Sequence, residues 1–509
     1  MLSFIGRRLI ASLVVLLAAT YVMYVLTAYS GDPLEDLRTS TARNKEQLIE
    51  HRIEVLNLNI PPYFRYFIWL KGILAGLIGQ LDLGKNLIGQ PVDALLASAV
   101  GHTLQLVTSA TLIAILLGVI VGVATALRQY SGFDYTVTFI SFLFYSLPVF
   151  WVAVLLKQYL AIGFNDFLVS PQVSPVALIV CTLLAAFIWS GILGGTWRRR
   201  GIVAAISGGS TALVLLLINV THWFENPSIG LIFGAILGVG TALIVTSLST
   251  GLDNKRARNS SLVVVVLGLI VWLPFDAISI SLLAPAVFGI AAAFVAIGVA
   301  IGWFNGGVDR GPVARTAGIT AVIMAGIIGV DRFMQAWQPY FNSSYVSGRP
   351  FATVGSSTPN LQGSFWVMGV DTFTHLLLPT LALLLIGFAG YTRYSRASML
   401  EIMDQDFIRT ARAKGLSERT VVMRHAFRNA MIPLTTLVAF DFAGVIGGAV
   451  ITERVFAFSG MGKLFLDSLL HVDLNPVMGF FLITGTVAIL FNLIADIVYG
   501  LLDPRIRVE

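Results

Sequence analysis

Residues 404–433 read DQDFIRTARAKGLSERTVVMRHAFRNAMIP, a charged stretch held between two long apolar runs near 375–395 and 432–456. The stretch is compatible with helix and is interrupted by Gly415, which allows a left-handed turn between two short helices. A loop this regular is more than a tether. A helix–turn–helix with basic side chains and a small-residue face (Ala411, Ala413) suits docking into a groove on another protein. An amphipathic segment lying on anionic lipid is the other reading of the same pattern. The flanking runs decide between water, lipid and protein as surroundings.

Those runs belong to a chain of 509 residues, 56% hydrophobic and only 12% charged. Soluble domains carry about 25% charged residues, so lipid must cover much of this surface. The apolar runs have the length, about 17 to 25 residues, that a helix needs to cross a hydrocarbon core of about 30 Å. Backbone groups in lipid must be satisfied within the segment, so the runs are predicted to be helices. They are continuous rather than alternating, which excludes a transmembrane β-barrel. The expected fold is all-α and polytopic. Six core spans are predicted near 9–28, 103–127, 135–160, 375–395, 432–456 and 477–501. Six more, near 175–196, 201–221, 229–249, 261–276, 284–304 and 316–336, form an inserted block. Arg7-Arg8 and the run from Leu9 to about Thr27 read as an uncleaved first span, too long for a typical signal-peptide core.

Charge orients the spans. With the N-terminus inside, 21 of the 33 Lys and Arg fall on the inner side, among them Arg198 to Arg200 and the basic residues from Arg393 to Arg428. Seven of the rest lie in the 29–101 loop, which is too long for the positive-inside rule to apply. The net charge of +6 is therefore assigned to inner loops and not to nucleic-acid binding. Cys181 stands alone, so no intrachain disulfide and no cysteine metal site is possible. Tyr63 to Trp69, after Pro61-Pro62, is apolar but short and carries Arg65, as expected of a helix lying in the membrane interface. Glycines four apart (Gly118 and Gly122; Gly230, Gly234 and Gly238; Gly298 and Gly302) permit close helix approach, either within the chain or at a subunit interface.

Thr410-Ala411-Arg412-Ala413-Lys414-Gly415-Leu416-Ser417, followed by His425-Ala426 and Arg428-Asn429-Ala430, resembles the cytoplasmic loop of ABC importer permeases of the dipeptide/oligopeptide/nickel type. Other motifs follow in the same order. They include Gly31-Asp32-Pro33, Thr103, Ser146-Leu147-Pro148-Val149-Phe150, His375 to Pro379, Glu453-Arg454-Val455-Phe456, Gly460-Met461-Gly462 and Asp503-Pro504-Arg505-Ile506-Arg507. Departures include Arg409 and Thr410 in place of the Glu and first Ala of the general importer signature, and Ser459 where Pro is usual.

The resemblance covers roughly 1–165 and 345–509, leaving 166–344 as an insertion that ordinary members lack. It implies the type I ABC importer fold: an N-terminal half of the core (1–165), the inserted block, and a C-terminal half (345–509) with a coupling loop at 397–431. It further implies that Arg409, Thr410, Ala411, Arg412, Ala413, Lys414, Gly415, Leu416, Ser417, Glu418 and Val421 couple to an ATPase. The implied partners are a second homologous permease, two ATPase subunits and an extracytoplasmic substrate-binding protein. The implied location is a bacterial cytoplasmic membrane with both termini inside, and the implied cargo is di- or oligopeptides.

Pathway candidates come from chemistry. Pro148 and Pro379 remove backbone donors and can kink their spans. Phe150 follows the first of these. Asp441 and Asp496 are carboxylates in the last two core spans, where ionisable groups face a cavity or a partner by default. Asp496, near the inner end, can instead snorkel or pair with Arg505 or Arg507, so Asp441 is the better candidate. Glu453, in a motif of the resemblance, is the other. No cofactor or catalytic set is read from the chain. Gly460-Met461-Gly462-Lys463 imitates part of a phosphate loop, but Leu464 replaces Ser/Thr and Ala457 replaces the first Gly. ATP must then be handled by another chain. A self-contained, ion-driven transporter is the alternative, and would need a midplane ion site.

Overall fold

The computed structural model describes residues 2–444 and 449–502. Helices dominate, and among the described residues the β-structure is one isolated bridge, Lys85 to Pro91. In chain order the principal helices are α1 (Leu2–Tyr29), α2 (Pro62–Ala75), α3 (Val92–Leu127), α4 (Gly132–Ser146), α5 (Val149–Leu155), α6 (Pro175–Leu193), α7 (Trp197–Val220), α8 (Gly230–Ser249) and α9 (Lys255–Ile278). They continue as α10 (Ala284–Asn305), α11 (Arg310–Gln335), α12 (Phe365–Met403), α13 (Asp406–Ala413), α14 (Phe427–Gly444), α15 (Val450–Val455), α16 (Met461–Leu470) and α17 (Leu474–Leu502). Among the described residues ten helices are long and apolar enough to cross a membrane, or eleven with one bent pair counted as a span. The chain is thus a multi-pass, all-α membrane protein. Of the eleventh predicted span, 432–456, the helix is described as far as Gly444 and resumes at Val450.

The bent pair is α4 with the helix from Val149 to Leu168, which turn by 102° at Leu147-Pro148. The proline ring disfavours helical geometry in the residue before it. Leu147 is accordingly extended, at φ −83° and ψ 131°, and α5 restarts immediately after Pro148. The sequence predicted one span over 135–160; the proline makes it two arms. Pro379, by contrast, sits inside α12 without ending it.

The chain divides into two compact units. One comprises residues 1–160, 353–356 and 376–509; the other comprises 161–352 and 357–375. In the first, Tyr24, Tyr66, Trp69 and Met478 form a buried cluster joining α1, α2 and α17. Helices α3 and α12 meet almost backbone to backbone: a Cβ on Gly118 would lie 2.5 Å from Tyr391 Cβ, and one on Gly122 would lie 2.6 Å from Thr392 O. The glycine spacing here serves contact within the chain.

The second unit gathers α6 to α11. Its core is built from small and branched residues, among them Ala242, Val264, Ala317 and Ala321, with Trp272 and Met324 filling the gaps. Gly234 lies against Trp272 and Gly298 against Ala321, again within the chain. Asp331 is fully buried and caps α8 from a distance in sequence: one carboxylate oxygen accepts from Ile229 N (2.7 Å) and Gly230 N (3.1 Å). Its other oxygen accepts from Gln335 at 2.7 Å. Helix α6 buries no residue, and Phe187 on it is 78% exposed, as expected of a helix whose solvent is lipid.

Candidate functional site: the charged elbow

The elbow begins where α12 ends. After α13, Lys414 and Gly415 reverse the chain, and Gly415 takes φ +76°, the left-handed region that glycine enters without steric cost. Ser417 then caps the next turn, its hydroxyl accepting from Thr420 N at 3.4 Å. Glu418–Thr420 leads into a π-helical stretch, Val421–Ala426, and so into α14.

One face of the elbow is glued to its own chain. Ile408, Ala411, Val421, Val422, Ala426 and Ala430 pack with Met399 of α12 and Ala126 of α3. Ser398 adds a hydrogen bond to Ala430 O at 2.8 Å. Two expected contact residues therefore face inward. Ala411 is buried and Val421 is completely so, because their apolar side chains complete this small core. The alanine face predicted to dock on another protein is split: Ala411 packs inside while Ala413 stays exposed.

The other face is charged and open. Arg409, Thr410, Arg412, Ala413, Lys414, Gly415, Leu416, Ser417 and Glu418 are all exposed. Arg412 spans the glycine turn to Glu418 through two hydrogen bonds, 2.8 and 3.2 Å. The bond from Arg412 holds the Glu418 carboxyl below its ordinary range. Arg409 pairs with Asp406 at 3.6 Å, and Thr410 donates to Asp406 O at 2.9 Å. Three apolar side chains stand among these charges: Phe407 (43% exposed), Leu416 (40%) and Met423 (55%). Phe407 was not marked by the sequence, because a single aromatic in a charged helix carries no periodic signal.

The pathway candidates are distributed differently. Pro148 makes the sharp bend, and Phe150 just beyond it is exposed. Asp441 on α14 is exposed and accepts a short hydrogen bond from Tyr391 of α12. The side chain of Asp496 lies outside the described residues, as do Asp503 to Arg507.

Glu453, expected beside the pathway, is held by its own chain in the described fold. It is fully buried, and both oxygens are taken by its own chain. Oε1 accepts from Thr103 of α3 at 2.7 Å, and Oε2 from Gly462 N (2.7 Å) and Lys463 N (3.1 Å). Thr103 in turn accepts from Met461 N at 2.8 Å. The carboxylate thus caps the positive end of α16. A Cβ on Gly460 would lie 2.4 Å from the carboxyl carbon of Glu453, which fixes glycine there. The amides that resembled part of a phosphate loop are occupied by a side chain.

Sequence reading also missed a tie beside the elbow. Asp134, at the start of α4, is buried and receives Arg396 of α12 through two bonds, 2.8 and 3.0 Å. Nothing local marks this pair, since the partners are 262 residues apart.

Comparison with known proteins falls on the half that holds the elbow. Residues 340–508 match the family described as binding-protein-dependent transport system inner membrane component. The chain is 42% identical over 159 residues to the oligopeptide transport system permease protein OppB of Mycobacterium tuberculosis, covering 31% of this chain and 49% of that protein. It is 41% identical over 157 residues to the oligopeptide transport system permease protein AppB of Bacillus subtilis, with 31% and 48% covered. It is 41% identical over 138 residues to the dipeptide transport system permease protein DppB of Escherichia coli, with 27% and 41% covered. The chain thus spans about half the length of the curated relatives it matches.

Proposed function

We propose, from a C-terminal third that matches the family described as binding-protein-dependent transport system inner membrane component, that this chain is the permease subunit of an ATP-driven ABC importer for peptides. The observation that carries the reading is the two-sided elbow. Its inner face is fixed to α3 and α12, and its outer face offers Phe407, Leu416 and Met423 within a ring of charge. That combination suits a protein groove better than a lipid surface, because the basic side chains are partly paired with Asp406 and Glu418.

The partners are a second homologous permease, two ATPase subunits and an extracytoplasmic binding protein. Nucleotide binding and hydrolysis in the ATPases move the elbow, and α12 carries the movement to the spans. Both termini and the elbow lie in the cytoplasm. The exposed coupling residues are Arg409, Thr410, Arg412, Ala413, Lys414, Gly415, Leu416, Ser417 and Glu418. Pro148, Phe150 and Asp441 remain the pathway candidates. The inserted block, 166–344, is a helical bundle that takes no part in translocation; cross-linking of translocating peptide to it would count against that assignment.

The test is Gly415→Val in the reconstituted complex. A β-branched residue at φ +76° is strained by about 1–2 kcal/mol, so the turn rearranges while the spans remain. ATP hydrolysis should continue and peptide uptake should fall. Unchanged uptake would defeat the coupling role. Sidedness has its own check: with Cys181→Ser as background, a cysteine in place of Lys414 should resist a membrane-impermeant maleimide in intact cells and react once the membrane is opened.

A further inference from the structure

The loop between α1 and α3 contains a buried cation without a counter-ion. Arg65 is only 8% exposed, and its Nε has no hydrogen-bond partner. The other loop arginines contrast with it: Arg38 pairs with Asp32 at 3.1 Å and Arg52 with Asp36 at 2.5 Å. Among the described residues Arg65 forms no ion pair, and its polar neighbour is the Tyr24 hydroxyl. A guanidinium does not shed its proton, and a buried charge is stable only when paired.

Arg65 lines a cavity of about 380 Å³, together with Tyr24, Ala28, Asp32, Asn59 and Asn475. The one carboxylate there, Asp32, is engaged elsewhere: it holds Arg38, and it accepts from Leu34 N at 3.0 Å. The Asn475 amide is likewise engaged, donating to Lys85 O at 2.7 Å.

The cavity lies at the depth of lipid headgroups. Tyr24 and Ala28 are in the last turns of the span α1, and Leu474 and Asn475 are the first residues of α17. Helix α2 turns Arg65, Tyr66 and Trp69 toward the protein, while Phe64 (61%), Phe67 (56%) and Ile68 (46%) are exposed. A helix divided in this way lies in the interface plane with its apolar face in the acyl boundary.

We propose that the Arg65 cavity binds the phosphate of a phospholipid from the leaflet in which α2 lies. The guanidinium fork matches two phosphate oxygens at once, and the lipid's chains continue over Phe64 and Phe67. The site is independent of the transport reading.

The experiment uses the full chain. After mild delipidation, native mass spectrometry should find one phospholipid retained on the wild type. Arg65→Gln should lower that occupancy by about tenfold, and Arg65→Lys should keep part of it. Added phosphatidylglycerol should raise the melting temperature of the wild type but not of Arg65→Gln, while inorganic phosphate should raise neither. Equal lipid retention by wild type and Arg65→Gln would overturn the site. Inorganic phosphate reproducing the shift would overturn the lipid source, and so would an acidic peptide displacing the lipid. Should Arg65→Gln fail to fold, Ala28→Phe fills the cavity with the arginine intact. It should lose the lipid in the same way, and retention there would equally overturn the proposal.

Discussion

The elbow at 404–426 and the knot at 453–463 are both chain reversals in the same unit, and they treat charge in opposite ways. The elbow puts alanine and valine inside and leaves arginine, lysine and glutamate in the open. The knot puts glutamate inside and surrounds it with backbone amides and Thr103. A reversal proposed to meet another molecule keeps its charges available. A reversal built to hold three helices together spends its charge internally. Carboxylates in membrane proteins invite a functional reading by default, and burial with full hydrogen bonding is what separates the second case from the first.

The strongest way to break this contrast is Glu453→Ala. It strips a buried hydroxyl and two buried amides of their acceptor and should destabilise the fold by about 3 kcal/mol. Thermal unfolding in detergent reads the loss, and Glu453→Gln should recover most of it. If Glu453→Ala unfolds like wild type but abolishes transport, the residue belongs to the pathway after all. Asp331→Ala extends the contrast to the inserted block. It frees Ile229 N and Gly230 N at the start of α8 and should cost about 2 kcal/mol, with transport retained wherever the block still folds.

A smaller effect is expected from pH. Asp473 sits just before α17 with Leu87 N donating to it at 3.1 Å and its other oxygen buried without a partner. Burial pushes its carboxyl up to about 6. The folded state then holds a proton that the unfolded state has released between the ordinary carboxylate range and about 6. Stability should fall as pH rises through that window and level off above it. Asp473→Asn should flatten the profile, and a slope that survives the substitution would point to another group. The smallest change belongs to Arg412→Ala at the elbow. Its ion pair with Glu418 is exposed, so melting should shift by only a few tenths of a kcal/mol, while ATP-driven uptake should drop. No change in uptake would place Arg412 outside the contact.

Much of this was legible in the sequence for one reason: lipid imposes length and composition on each span separately. The elbow was legible too, because Gly415 and the flanking charges announce a turn between short helices. Its inner face was not. Ala126, which packs in the core that buries Ala411 and Val421, comes from α3, far earlier in the chain, and Met399 reaches that core only through the fold of the reversal. The same holds for Thr103 under Glu453 and for Asp134 under Arg396. Pairings across 262 and 350 residues leave no periodic trace. At Pro148 the sequence located the kink but not its size, since a proline forbids local helix without dictating where the next arm goes.

The contact of Gly118 and Gly122 with α12 has a mechanical outcome. Helix α12 has 39 residues, about 58 Å at 1.5 Å per residue, nearly twice the hydrocarbon thickness of about 30 Å. With backbones this close there is no room for one rod to slide past the other, so α3 and α12 act as a single doubled strut. The elbow is bolted to the foot of that strut through Ala126 and Met399. On the proposed coupling role, a push on the elbow would load both rods together and not α12 alone.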